Sequence, residues 1–185
     1  MKSILLTLFK TKKGLELLDN EYEDDLWRKS AIIFGLYAMI QFLFDFDEDK
    51  EVNKFILNLM ELIFFIFLFI LVGMFCSLIL YKIGKWMKGK AKYIEIYSLS
   101  AYALIPITVG LIIRGGLKHS VFFVHDFNNP YSRNFILYLS WFFSLKILIL
   151  GLTKFNQYGI KRAILNLSPF ILLQISLLVI SLILS

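Results

Sequence analysis

The chain has little with which to meet water. Charged residues make up 18% of its 185 positions, against about 25% in soluble globular proteins, and hydrophobic residues 58%, against about 45–50%. A single cysteine, Cys76, sits in an apolar run, which excludes a disulfide framework and a cysteine zinc site and leaves the redox compartment unreadable. With 10 glycines, 3 prolines and no polar low-complexity tract, collagen-like and disordered chains are excluded as well. The sequence contains no Gly-rich phosphate loop, no paired His-Glu motif and no nucleophile elbow, and so offers nothing for nucleotide or catalytic chemistry to use. What remains is a membrane protein. The formal charge of +6 does not point to nucleic acid, because the cations flank apolar segments instead of interleaving with aromatics on a polar face.

A hydrocarbon core of about 30 Å needs roughly 20 apolar helical residues, since no backbone group goes unpaired in lipid. Five segments qualify: about Ser30 to Phe44, Phe55 to Tyr81, Tyr97 to Ile113, Phe135 to Leu152 and Ala163 to Leu184. The second holds the uncharged run Leu62 to Leu80, and the last contains Ser168-Pro169, an alternative N-cap and first helical position that leaves the count unchanged. The expectation is an all-α, polytopic transmembrane bundle of five spans (30–185) behind a cytoplasmic segment (1–29).

Orientation follows from lysine and arginine in the loops. One side carries Lys2, Lys10, Lys12, Lys13, Arg28 and Lys29, then Lys82, Lys85, Lys88, Lys90 and Lys92, then Lys154, Lys161 and Arg162. The other carries Lys50, Lys54, Arg114, Lys118 and Arg133, and its first loop is acidic. Odd span number and charge bias agree on a cytoplasmic N-terminus and an outside C-terminus. No cleavable signal peptide is expected, because the apolar core Ile4 to Phe9 is too short.

Before the first span, Ile4, Leu5, Leu8, Phe9, Leu15 and Leu18 recur at helical spacing among lysines, the pattern of a helix lying in the headgroup layer, with Gly14 as an interruption. The acidic run Asp19 to Asp25 reads as a solvated connector or a patch for a basic partner.

Two ionisable residues fall within spans and are functional candidates on that ground: Glu61 and Lys146. At about 1.5 Å per residue, Glu61 lies roughly 9 Å in from Phe55 and Lys146 roughly 16 Å in from Phe135, so they do not meet. Lys146 snorkels to the cytoplasmic headgroups. Glu61 either reaches outer-interface water or pairs with Arg114. Pro106 deprives the Tyr102 carbonyl of its helical donor, which makes either a packing kink healed by a neighbour or a broken helix lining a path. Gly73 to Ser77 is a small-xxx-small pattern for close helix contact. The loop Arg114 to Asn134 contains the apolar Val121 to Val124 and the turn signal Asn128-Asn129-Pro130. His119, His125 and Asp126 in it lack a defensible metal-ligand spacing, and no cofactor or metal is expected. The stretch Lys82, Lys85, Trp86, Lys88, Lys90 and Lys92 suits anchoring on anionic lipid headgroups, with protein docking as the alternative.

The element Ala101-Tyr102-x-x-x-Pro106, following the lysine- and glycine-containing loop Lys85 to Lys92, resembles the Gly/Ala-Tyr-x-x-x-Pro motif in the third span of the Yip family, the five-span proteins first named as Ypt-interacting proteins. Gly159-Ile160-Lys161-Arg162-Ala163 before the last helix is similar to bacterial members, and the resemblance covers roughly Trp27 to Leu184. It implies a five-helix bundle with the orientation already reached from charge. Eukaryotic relatives engage Rab-type GTPases through an Asp-Leu-Tyr-Gly-Pro-like element; here Asp25-Leu26-Trp27 is followed by Arg28-Lys29, which argues against GTPase binding.

The combined expectation is a non-enzymatic, multi-pass protein of the cell membrane. Its partners are the bilayer and either another membrane protein or a second copy, as an accessory or scaffold subunit of a complex such as an ABC-type exporter. The alternative is a small permease or channel with Glu61, Tyr102 and Pro106 along its path.

Overall fold

A computed structural model of the chain describes residues 6, 10–44, 55–118 and 130–184, with side chains described at 6, 10–43, 57–116, 135–172 and 176. The described residues form six helices and no strand: α1 (Thr11–Asp19), α2 (Glu23–Phe44), α3 (Phe55–Trp86), α4 (Tyr93–Lys118), α5 (Pro130–Asn156) and α6 (Ile160–Leu184). Among the described residues, three stretches are long and apolar enough to cross a membrane: Leu57–Trp86, Tyr93–Gly116 and Phe135–Asn156. Their burial differs sharply, 61% of the apolar window in α4 against 11% in α3, so α4 is the axis of the bundle and α3 a peripheral stave.

Sequence explains the central place of α4. Ile96, Tyr97, Leu99, Ala101 and Tyr102 are all fully buried, and the small residues Ser98, Ala101 and Ala103 among them let neighbours approach from several sides. Its N-terminus is half of a capping box, with Glu95 Oε2 accepting from the Lys92 backbone N–H at 2.8 Å. The α2 stripe Leu26, Ser30, Ile33, Phe34 and Ala38 faces it at helical spacing, and Ser30 Oγ donates to the Leu26 carbonyl at 2.6 Å beside Ser98 Oγ. Trp27, Phe34 and Tyr93 surround the Tyr97 ring, with centroids 4.7, 5.3 and 6.2 Å away. The Tyr93 hydroxyl donates to the Met74 carbonyl at 3.0 Å, joining α4 to α3.

Small residues mark the crossings. The α4–α5 contact is the most extensive, and at Gly151 an added Cβ would meet the side chain of buried Leu99. Gly73 of the small-xxx-small pattern lies under the Phe34 ring, and Ser77 Oγ donates back to the Gly73 carbonyl at 2.6 Å, so this face of α3 is where α2 comes close.

Both proline-bearing helices are continuous, with Pro106 inside α4 and Pro169 inside α6. Pro169 cannot supply the N–H that the Leu165 carbonyl would receive, and the Ser168 hydroxyl donates to that carbonyl instead at 2.7 Å. The last helix thus begins at Ile160, earlier than the alternatives at Ala163 or Ser168. Pro130 opens α5 at its first helical position and α4 continues to Lys118, which shortens the expected Arg114 to Asn134 loop at both ends. Val121 to Val124, His119, His125 and Asp126 lie outside the described residues.

The N-terminal segment departs from its expected state. Leu15 and Leu18 are 1% and 0% exposed, packed in the protein core with α1 against α5; this face is turned to the bundle rather than to headgroups. Gly14 does not interrupt α1, and its N–H donates to the Lys10 carbonyl at 3.0 Å. Ile4, Leu5, Leu8 and Phe9 are outside the described residues.

The acidic run is largely exposed, as a solvated connector would be, but it is also paired within the chain. Asp19 pairs with Lys154 at 3.2 Å, Glu21 with Lys29 at 2.9 Å and Glu23 with Lys92 at 2.7 Å, while Glu23, Asp24 and Asp25 occupy the first turn of α2, where the helix dipole favours them. Lys154 additionally donates to the Leu15 carbonyl at 2.8 Å. Lys29 belongs to α2 itself, but Lys154 and Lys92 come from distant parts of the chain, so Asp19 and Glu23 tie α1 and α2 to the basic end of the bundle. Lys154→Met is expected to lower stability by no more than about 1 kcal/mol, since the pair is partly exposed. It should nevertheless speed amide exchange across 11–19, read by hydrogen-exchange mass spectrometry. Unaltered protection there would show that Leu15 and Leu18 hold α1 unaided.

Candidate functional site

Between the helices lies a cavity of about 340 Å³. Phe34 and Tyr37 of α2 form one wall, and Phe69, Gly73, Cys76 and Leu80 of α3 a second. Ser100, Ala103 and Ile107 of α4 lie behind it, with Trp141, Ser144 and Leu148 of α5 and Leu167 and Phe170 of α6 completing it. Its lining is chiefly apolar, and the Ser100 hydroxyl is already committed to the Ile96 carbonyl at 2.9 Å. The arrangement can hold hydrocarbon; it has no charged side chain in its wall.

Beyond this cavity, where the end of α5 meets the start of α6, a polar cluster closes the basic end. Asn166, fully buried, donates from Nδ2 to the Tyr158 hydroxyl oxygen at 2.7 Å, and Asn156 Nδ2 approaches the same oxygen at 3.3 Å. The Asn156 carbonyl accepts from the Lys90 N–H at 3.2 Å, which fastens the α3–α4 connection to the end of α5. That connection begins with a Schellman turn: Lys88 has φ 64°, its N–H reaches the Lys85 carbonyl at 2.9 Å, and Gly89 N–H reaches the Gly84 carbonyl at 2.8 Å. Gly84 and Gly89 are both required by the Asn156 side-chain oxygen, which occupies the space a Cβ on either would enter. Asn166 Oδ1 has no hydrogen-bond partner among the described residues.

The electrostatics of this end follow from its contacts. Burial pushes the Tyr158 phenol above its ordinary value of 10.0, an effect the two amide donors partly oppose. Hydrogen bonding to Glu21 raises the Lys29 ammonium above 10.5, and Glu23 does the same for Lys92. These lysines are therefore cations throughout the physiological range.

The residues singled out from sequence are dispersed. Glu61 is exposed on α3, Lys146 is exposed on α5, and Arg114 is half-buried near the end of α4. Tyr102 is fully buried in α4, and Pro106 is buried one turn further along. None of these five lines the cavity. Lys82, Lys85 and Trp86 belong to the last turns of α3 rather than to a loop, and with Lys88, Lys90 and Lys92 they are exposed around the polar cluster, Trp86 by 82%. Asn156, Tyr158 and Asn166 escaped sequence reasoning. Their one signal was an asparagine near each of the two helix ends that meet there, Asn156 at the end of α5 and Asn166 early in α6, the residue type that bonds across helices in lipid.

A family model described as the Yip1 domain matches residues 6–182, almost the whole chain. The chain belongs to the Yip1 domain family. No curated protein and no solved structure matches it. The Yip1 domain here is an integral membrane fold, and its match extends over α1, in keeping with the packing of Leu15 and Leu18 into the same core as the spans. The Ala101-Tyr102-x-x-x-Pro106 element of the Yip1 domain falls on the most buried part of α4, where a tyrosine and a proline shape helix packing.

Proposed function

We propose that this Yip1-domain protein is a non-catalytic scaffold of the cell membrane that associates side by side with another membrane protein, such as an ABC-type exporter, or with a second copy. In this reading α2 and α6 join the three longest apolar helices as spans, giving five, with the N-terminus cytoplasmic and the C-terminus outside. The charge bias of the loops supports that orientation.

The observation that carries the proposal is the outward face of α3. Phe64, Phe67 and Phe75 are 66%, 59% and 63% exposed along a helix that makes few demands on its own bundle. In lipid, helices associate through van der Waals packing and not through hydrophobic exclusion, so this peripheral face is open to a neighbouring helix as well as to acyl chains. The lysines around Trp86 supply the lipid-headgroup or partner contact at one end. A permease is less well supported, because the cavity is apolar and Glu61, Tyr102 and Pro106 lie outside its wall.

The test is extraction of the tagged protein from its native membrane in mild detergent. A membrane protein recovered in fixed stoichiometry, and lost on Phe67→Ala/Phe75→Ala with the unfolding midpoint unchanged, supports the scaffold. Solute or ion flux through vesicles containing the purified protein alone, abolished by Glu61→Gln or Tyr102→Phe, overturns it.

A further inference from the structure

The cavity is displaced towards one end of the bundle. On α3 its wall runs from Phe69 to Leu80, in the half of the helix that ends at Trp86. On α4 it runs from Ser100 to Ile107, centred nearer Tyr93 than Lys118, and on α6 it lies towards Ile160, while on α5 (Trp141 to Leu148) and α2 (Phe34, Tyr37) it sits about mid-helix. The ends at Trp86, Tyr93 and Ile160 carry lysines. The cavity therefore runs from the side of Lys82 to Lys92 to about the middle of the bundle.

Its length agrees. From Phe69 to Leu80 the wall extends about 16 Å at roughly 1.5 Å per residue, against about 15 Å for half of a hydrocarbon core. Its volume also discriminates between occupants. A transmembrane helix is about 10–12 Å across, so 340 Å³ would take less than one turn of it. A hydrocarbon chain about 4.5 Å across at contact distance would fill the same space over roughly 20 Å. Apolar cavities of about 150 Å³ remain dry and take up benzene, so a larger one facing acyl chains has no reason to hold water.

From these observations we infer that the cavity is a binding site for one acyl chain of a phospholipid from the lysine-bearing leaflet. Transfer of the chain from bilayer to protein gains nothing from hydrophobic exclusion. What favours it is dispersion: an empty space leaves Phe34, Leu148 and Phe170 without partner atoms on one side, and a lodged chain restores them. The polar cluster of Asn156, Tyr158 and Asn166 stops the chain at the basic end. Exposed Lys82, Lys85, Lys88 and Lys90 then surround the level at which an anionic headgroup lies. The bound lipid would set the separation of α3 from the rest of the bundle. The inference requires a membrane-embedded chain but neither the proposed partner nor a choice of inside and outside.

The test uses the full-length protein in vesicles of phosphatidylcholine with phosphatidylglycerol carrying a photoactivatable diazirine midway along one acyl chain. After irradiation, peptide mapping should find adducts at Ala103 and Ser144, which are 2% and 6% exposed, as well as on outward-facing Phe64, Phe67 and Phe75. Filling the space with Ser144→Leu, or separately Cys76→Leu, should lower adducts at Ala103 about tenfold while leaving the outward set unchanged, because a chain that no longer fits forfeits its contacts. Adducts confined to the outward set would overturn the site while still showing that the chain is embedded. Equal labelling of Ala103 in wild type and both filled variants would overturn it as well.

Discussion

Gly151→Ala is expected to lower the unfolding midpoint of the purified protein by the equivalent of about 1–3 kcal/mol, a large effect for one methyl group. The reason lies in the α4–α5 contact. The added Cβ would meet three side-chain atoms of Leu99, with Cδ2 at 2.7 Å and Cγ at 2.9 Å, and Leu99 is fully buried with nowhere to swing. Helices in lipid are held by dispersion and short polar contacts, and a gap of about 0.5–1 Å already forfeits a quarter to a half of each contact. Pushing α5 off α4 therefore loosens the widest interface in the molecule. Leu99→Ala alone should cost about 2–5 kcal/mol through the void it leaves. The double variant is the informative one: Leu99→Ala removes all three obstructing atoms, so the pair should cost less than the two single effects together, by about 1–3 kcal/mol. Strict additivity in midpoints measured in one detergent would mean that Gly151 and Leu99 do not share this space.

The sequence made the long apolar helices legible, though not which of them is central, and the reasons are local. Leu62 to Leu80 is a charge-free run that only a span accommodates, and Ala101-Tyr102-x-x-x-Pro106 gave the family from one turn of α4. The behaviour of the acidic run was illegible for a long-range reason. Glu23 finds Lys92 across 69 positions, and Lys154 reaches Leu15 across 139, and no spacing rule connects them. Taken alone, Leu15 and Leu18 present an apolar stripe that lipid or protein would satisfy equally; only the position of α5 decides. The cavity is less legible still, because a void depends on distances between helices and not on the identity of any residue that borders it. Asn156 and Asn166 were visible as letters, but their meeting point at Tyr158 depends on the end of one helix folding back on the start of the next.

That meeting point gives one side chain, Tyr158, a share in the alkaline limb of stability. Tyr158 accepts hydrogen bonds from Asn166 at 2.7 Å and Asn156 at 3.3 Å while only 7% exposed, and burial holds its phenol in the protonated form beyond the ordinary value of 10.0. A folded-state pKa raised above the unfolded one contributes stability that is complete below pH 10.0 and is lost as pH rises through the folded value. Lys29, raised above 10.5 by Glu21, adds a loss of the same sign at higher pH. Tyr158→Phe is expected to cost about 1–3 kcal/mol at neutral pH, because two buried amides lose their acceptor. Above pH 10 its midpoint should fall less steeply than that of the wild type, so the two curves converge. Lys29→Met should leave the first part of the alkaline decline in place and blunt only the later part. Asn166→Ala should be about as costly at neutral pH as Tyr158→Phe, yet it should keep the alkaline decline and move it upward, because a donor that lowers the phenol pKa has been removed. Midpoints measured across the alkaline range for the four proteins separate these outcomes. Parallel curves for wild type and Tyr158→Phe would show that the phenol is not the group whose ionisation opens this end of the bundle.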